Sequence, residues 1–211
     1  MRGSLWVSKL DGTDARMAHG EGFGLEAVLA FTPDRGRVLL AGSVPPGGTA
    51  KPYILHLDGS GRGFPLPAEI TSIWDESVWT TSRYWYFTGT VSYQPTLIRF
   101  DHSGGTFDTP LAAAGLGAVS HPLIHPTETC IVILSGTRLM YAFRTSGGNA
   151  VPISKPLANG WGDVSIDLPI TFTPDYSAVL YVGTGEGTKN LYRSKIVAPP
   201  LNTSTDLWSF Y

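Results

Sequence analysis

Five histidines, one cysteine and 17 carboxylates are the groups from which this sequence could build a reactive centre. His121 and His125, four apart in "SHPLIHP", are with His19 the first candidates for a metal. That stretch reads as a strand entering a turn, where a spacing of four puts both imidazoles on one side but roughly 13 Å apart. A single ion needs each nitrogen at about 2 Å, so turn or structural roles are expected of the pair. Cys130, in "ETCIVILSG", has the apolar surroundings of a buried structural thiol; a nucleophile is the alternative. Paired carboxylates for glycoside hydrolysis could come from Asp75 with Glu76, Asp163 or Asp167. Adjacent Asp75 and Glu76, however, would point to opposite faces of a strand.

The remaining motifs carry less. No Gly-x-Ser-x-Gly elbow, His-Glu-x-x-His pair or Walker loop occurs. "GTGEGTK" (183–189) lacks the Gly-Lys-Ser/Thr of a phosphate loop and joins two strands, so its glycines read as turn formers. "LDGTD" and "DGSGRG" offer oxygens that calcium likes, yet neither follows the twelve-residue calcium loop, and both read as Asx and Gly turns. "DHSGGTF" does not match the sialidase-type aspartate box. No catalytic residue, metal site or cofactor is therefore assigned. Two aromatic features remain. In "WDESVWTTSRYWYF", alternation puts Tyr84 and Tyr86 on one face and Trp85 and Phe87 on the other, the pattern of a strand covered on both sides. Trp161, in "NGWGD", is flanked by glycines beside Asp163 and is a candidate to stack on a sugar or an apolar side chain; a plug over the core is the alternative.

The elements that would position these groups follow from composition and repetition. With 25 Gly and 16 Pro among 211 residues, and 42% hydrophobic against 15% charged residues, the chain is globular and poor in long helices. Fifteen basic and 17 acidic side chains, with no basic cluster, argue against nucleic acid as a partner. No run approaches 18 apolar residues, so a soluble chain without membrane insertion is expected. A periplasmic or secreted location stays open if a leader has been removed, and a single cysteine leaves the compartment undetermined.

A phrase recurs five times: "LWVSKLDG" (5–12), "YILHLDGSG" (53–61), "TLIRFDHSGG" (96–105), "LMYAFRTSGG" (139–148) and "LYRSKIVA" (191–198). Aligning Asp11, Asp58, Asp101, Arg144 and Val197 gives spacings of 47, 43, 43 and 53, a period near that of a propeller blade. Before each of the last four phrases stand two more strand-like runs joined by a tight turn. "FTPDRGRVLLAG" (31–42) and "FTPDYSAVLYVG" (172–183) show it best: Pro presets φ and Asp bonds its own downstream backbone. The third copy keeps Pro126 and has Thr127 for Asp; the second has lost the Pro. A short fourth segment follows each phrase, giving strands a, b, c and d of a blade. A β-sandwich is the runner-up, but it does not require turn chemistry to recur in fixed order.

Phe31-Thr32-Pro33-Asp34, Phe172-Thr173-Pro174-Asp175 and Tyr53-Ile54-Leu55-His56-Leu57-Asp58-Gly59 resemble the TolB-type propeller repeat. In that repeat an aromatic-Ser/Thr-Pro-Asp turn precedes a strand and a later aromatic-x-x-Asp-x-x-Gly closes the third strand. The resemblance implies the same propeller fold, and the count of strand-like runs gives the expected architecture: an all-β propeller of about five four-stranded blades, one incomplete. Residues 1–20 hold c and d strands of one blade, and four blades span about 21–67, 68–111, 112–157 and 158–211, all in one domain. "TDLWSFY" is the expected last outer strand.

In such a fold the d-to-a and b-to-c loops share the usual binding face. The d-to-a loops would be 16–24, 66–69, 112–120 and 157–165, and the b-to-c loops 44–52, 90–95, 135–138 and 183–189. Candidate contacts there are Trp161, Asp163, Tyr93, Glu186 and His19. The expected function is a non-catalytic scaffold recognising a protein or glycan through this face. The alternatives are an accessory or catalytic domain of a hydrolase, and a structural subunit of a surface or virion assembly in which a homo-oligomer completes the half-blade.

Overall fold

The computed structural model describes residues 5–19, 24–43, 51–58, 60, 62–73, 78–110, 116, 118–146, 150–154, 164–165, 170–185 and 188–196. All regular structure among them is β, and no helix there is long and apolar enough to cross a membrane. The chain divides into two compact units, Met1–Asp108 and Thr109–Tyr211.

In the first unit β1 (Leu5–Val7) pairs antiparallel with β2 (Arg16–His19). A four-stranded antiparallel sheet follows in simple chain order: β3 (Gly24–Phe31), β4 (Arg37–Ser43), β5 (Lys51–His56) and β6 (Gly63–Pro65). The next sheet has β7 (Ile70–Ile73) and β8 (Trp79–Thr80) both on β9 (Tyr84–Val91), then β10 (Gln94–Asp101) and β11 (Phe107–Asp108). The second unit repeats the order with β12 (Val119–Ile124), β13 (Cys130–Ser135), β14 (Met140–Arg144) and β15 (Val151–Pro152). Its other sheet holds β16 (Thr171–Phe172), β17 (Ala178–Gly185) and β18 (Thr188–Lys195).

Burial explains why the second strand of each sheet is a nearly unbroken apolar run. Side chains alternate between faces, and a run without polar positions needs cover on both. Val38 and Leu40 pack with Leu55 and Leu57 against Leu5 and Val7 of β1. Leu39, on the opposite face of β4, packs with Ile54 against Trp85, Phe87, Ile98 and Phe100 of the next sheet. Trp85, Tyr86 and Phe87 are all buried, as the alternation in "YWYF" requires. β13 is buried at every position, Cys130 included.

The a-to-b turns share one construction. In the first, Arg35 N–H donates to Thr32 O (2.8 Å) and Thr32 N–H to Arg37 O (3.0 Å). Arg35 takes a left-handed φ of 56°, and Asp34 accepts from the Thr32 hydroxyl and from Gly36 N–H. Tyr176 (φ 57°) and Glu128 (φ 54°) occupy the same place in the later turns, each donating N–H to Thr173 O or His125 O. Where Thr127 replaces Asp, its hydroxyl bonds His125 Nδ1 at 2.7 Å instead. The second copy, which lacks the Pro, is two residues shorter: Thr81 N–H donates to Tyr84 O and Tyr84 N–H to the Thr81 hydroxyl.

Two expectations change. Arg37↔His56, Tyr84↔Asp101, Cys130↔Arg144 and Ala178↔Lys195 are equivalent b-to-c pairs. Structural equivalence therefore runs through His56, Asp101, Arg144 and Lys195, spaced 45, 43 and 51 apart. Asp58 stands two places beyond Asp101, and Val197 two beyond Arg144, because turns of different length follow strand c. Second, Arg16–His19 is a strand rather than loop, its backbone being needed to satisfy β1.

The a strands are all interrupted. β3 slips register between Leu25 and Ala27 and between Val28 and Ala30, β7 between Ile70 and Ser72, and β12 between Ser120 and Leu123. Along β9, Ile73 pairs with Gly89 but the next pair is Trp79 with Tyr86. Along β17, Val164 bridges Gly183 whereas Thr171 pairs with Leu180.

Candidate functional site

Each sheet has two unlike ends. At the end made by a-to-b and c-to-d turns, the amide of the residue just after strand c is tied to a turn carbonyl four times over. Leu57 N–H donates to Gly36 O, His102 to Arg83 O, Thr145 to Thr129 O and Ile196 to Ser177 O, at 2.9, 3.2, 3.3 and 2.9 Å. Asp101, only 6% exposed, adds to the tie. It accepts from Ser103 and Gly104 N–H at 2.8 and 2.9 Å and from Arg83 Nε at 2.8 Å. Burial works to raise its pKa, but these hydrogen bonds outweigh it and hold the carboxyl below its usual value. The ring of His102 lies 5.2 Å from that of Trp85, whose Nε1 donates to Phe31 O, and Arg37 donates to His102 O. Sequence reading missed this cluster. Its signal was the acid of "DHSGG", which caps its own loop as Asp11 and Asp58 do theirs.

In the second unit the corresponding turns join through rings. His125 meets Phe172 and Tyr176 edge-on at 5.8 Å each. His125 lies just beyond β12, and His121 occupies the bulge with φ 53° and bonds the Ser120 hydroxyl. The expected placement of both imidazoles on one regular strand face does not hold, because the bulge re-aims the first and the turn takes the second. Burial pushes the Cys130 thiol up to about 11, so at neutral pH it is a protonated core group and not a nucleophile.

The opposite end is formed by b-to-c turns lying beside the segments that enter strand a. Ser92 N–H donates to Glu69 O at 2.9 Å and Gly136 N–H to Ala118 O at 2.7 Å, whereas in the last sheet Ser165 N–H donates to Val182 O within β17 at 2.7 Å. Here the sequence placed five candidate contacts. Trp161, Asp163 and Glu186 lie outside the described residues; Val164, bridged to Gly183, and the Gly185↔Thr188 pair are their described neighbours. His19 ends β2, opposite Leu5, and its side chain is outside the description.

Tyr93 is fully placed. β9 and β10 close on the pair Val91↔Gln94, leaving Ser92 and Tyr93 as a two-residue turn. Both have positive φ, 48° and 66°, the requirement of a type I′ hairpin, which favours Asn-Gly. A tyrosine there is at odds with its local preference, and its ring stands 84% exposed. Glu69, Ser92 and Gln94 around it are exposed too. Such a rigid amphipathic ring can stack on a sugar or an apolar side chain while its hydroxyl makes a hydrogen bond.

No protein-family model and no curated protein matches this sequence. Solved structures do match. TolB from Acinetobacter baumannii superposes with a TM-score of 0.58 at 14% identity, over 91% of this chain and 46% of that one. A protein assigned as TolB from Agrobacterium tumefaciens gives 0.54 at 15% identity, over 86% and 63%. The tricorn protease gives 0.50 at 12% identity, over 90% and 18%. The chain thus spans less than two thirds of each of these proteins. At such identities the likeness speaks for the fold: the chain is an all-β protein with a TolB-like propeller fold.

Proposed function

We propose that this chain is a non-catalytic propeller domain that holds a protein or glycan ligand against the end of its sheets where the b-to-c turns lie. Tyr93 is the anchor in the first unit, with His19 at the end of β2 as a further contact there, and Trp161, Asp163 and Glu186 are candidate contacts within the second unit. The observation that carries the reading is Tyr93 itself: an exposed aromatic ring held on a turn whose backbone suits glycine. Such a conflict between local preference and structure is characteristic of functional positions. We also read the Thr-Pro-Asp turns as TolB-type repeats, which is supported by the same hydrogen bonds recurring around Thr32 and Thr173.

The test is a screen of immobilised glycans and peptides with the wild-type chain and with Tyr93→Ala. The expected result is a ligand bound by the wild type and weakened roughly tenfold or more by the substitution, with the thermal midpoint unchanged. A ligand held equally well by both proteins would move the site elsewhere.

A second reading, a structural subunit completed by a neighbouring copy, is favoured by the β1–β2 sheet, which among the described residues has two strands where the others have three to five. Light scattering over a dilution series separates the two, since completion in trans makes the mass depend on concentration.

A further inference from the structure

Tyr93 shares its end of the sheet with a charge. Ser92, beside it, donates N–H to Glu69 O at 2.9 Å, and Ile70 N–H to Pro67 O, also at 2.9 Å, closes the turn that carries Glu69. Next along the same ladder Ile70 pairs with Val91, and Ser72 Oγ lies 2.8 Å from Thr90 Oγ1. Two exposed side chains, those of Glu69 and Tyr93, therefore stand on turns whose backbones are fixed to each other. Among the charged side chains described in the first unit, Glu69 alone is placed at this end of the sheets; Arg37, Asp58, Arg83 and Asp101 belong to the opposite end. Among the described residues, its carboxylate has no cation within ion-pair distance.

We infer that Tyr93 and Glu69 form a subsite for a cationic side chain, and that the ligand of the first unit is a protein presenting an arginine to this turn. The inference rests on the reading of Tyr93 as the anchor and names what that anchor takes. The face of a phenol ring and a carboxylate act with one sign, since each draws a cation. A carboxylate, sulfate or phosphate on the ligand would be repelled by both, and a neutral sugar would gain from the ring alone. Arginine fits better than lysine: its planar guanidinium stacks on a ring, and its N–H groups reach a carboxylate two at a time. The exposed amide of Gln94 offers a further acceptor beside them. On the corresponding turn of the second unit stands Arg138, exposed and with a φ of 61°. The cation preference thus belongs to the first unit and not to every b-to-c turn.

The test titrates the full chain, with its tyrosine rings isotopically labelled for magnetic resonance, against four probes. These are the blocked peptide Gly-Ser-Arg-Ser-Gly, the same peptide with citrulline or with glutamate in place of arginine, and methyl glucoside. Citrulline keeps the shape of arginine and removes its charge. The ring signals of Tyr93, assigned by their loss in Tyr93→Ala, should move saturably with the arginine peptide at about 10–100 mM, as two exposed contacts allow. The citrulline peptide should bind roughly fivefold more weakly, and the glutamate peptide should leave the ring unmoved. Glu69→Gln should weaken the arginine peptide by about threefold to fivefold, and raised salt should do the same. Equal binding of the arginine and citrulline peptides, or of the arginine peptide to wild type and Glu69→Gln, would overturn the inference. So would a ring moved by the glucoside and not by arginine, which would leave Tyr93 standing as an anchor for sugar. A ring unmoved by all four probes at ~100 mM would overturn it as well. The anchor itself falls on a different result, a ligand from the screen that Tyr93→Ala holds as tightly as the wild type.

Discussion

Replacing Ser92-Tyr93 by Asn-Gly should make this protein more stable while removing its proposed anchor. Both residues sit at positive φ, 48° and 66°, where an L side chain costs ~1 kcal/mol or somewhat more relative to glycine. Asn tolerates that region and Gly has no penalty there, so the turn would be relieved of about 2 kcal/mol. Glycine loosens the unfolded chain, which offsets ~0.5–1 kcal/mol. The ring is almost wholly in solvent, so its removal forfeits little burial. The net is a gain of about 1 kcal/mol, or roughly 2–4 °C in the thermal midpoint of a chain of this size. Calorimetry gives the midpoint, and urea titration at unchanged slope confirms that stability and not compactness has moved. The Tyr93→Ala control keeps the positive φ and should show no such gain. A midpoint that falls, or that rises equally in the control, would refute the view that Tyr93 is held against its local preference.

Phe172 and Phe31 open the same Thr-Pro-Asp turn but are 8% and 47% exposed. Phe172→Ala should therefore cost ~3–5 kcal/mol and Phe31→Ala about 1 kcal/mol or less, a contrast readable in urea midpoints. Asp101→Ala strands two amides and a guanidinium and should cost ~2–3 kcal/mol, with no comparable loss for the exposed Asp58→Ala. Hydrogen bonds from Thr173, then Ser177, lower Asp175 to about 2, and Thr32 likewise lowers Asp34. A depressed folded value means that this stability is complete above the unfolded value, about 3.9, and is lost as pH falls through the folded one. Unfolding monitored in acid should thus steepen between about pH 4 and pH 2, and less so in Asp175→Asn. Cys130, with its thiol raised to about 11, should resist alkylation near pH 8 until the chain is unfolded.

Where local chemistry dominates, the sequence was legible. Pro33 with Asp34 and Pro174 with Asp175 dictate their turns almost alone, and the runs at Arg37–Ser43 and Tyr84–Val91 announce strands covered on both faces. The register of the repeat was not, because Asp11, Asp58 and Asp101 all cap loops through a carboxylate, yet from positions that differ by two. A residue type reports its hydrogen bond more faithfully than its place in the ladder. The link between Arg37 and His102, 65 residues apart, and the stacking of His125 on Phe172 are tertiary and leave no local trace. Tyr93 was found as a loop aromatic, but its positive φ could not be read, since Ser-Tyr is not a turn signal. Of the predicted contacts, only its surroundings are described in full.

The interruptions of the first strands bear on how such a chain could be altered by evolution or by design. Between Ile73 and Trp79, three residues more are spent on strand a than on the partner β9, and between Val164 and Thr171 four more than on β17. In both sheets the b-to-c ladder runs on without a break. Hairpins of strands b and c are thus the invariant unit, and strand a is where length drifts. Insertions, affinity tags or grafted binding loops should be accepted there, between two paired stretches that already bracket extra chain. The same insert within β4, β9, β13 or β17 would shift every side chain beyond it to the opposite face.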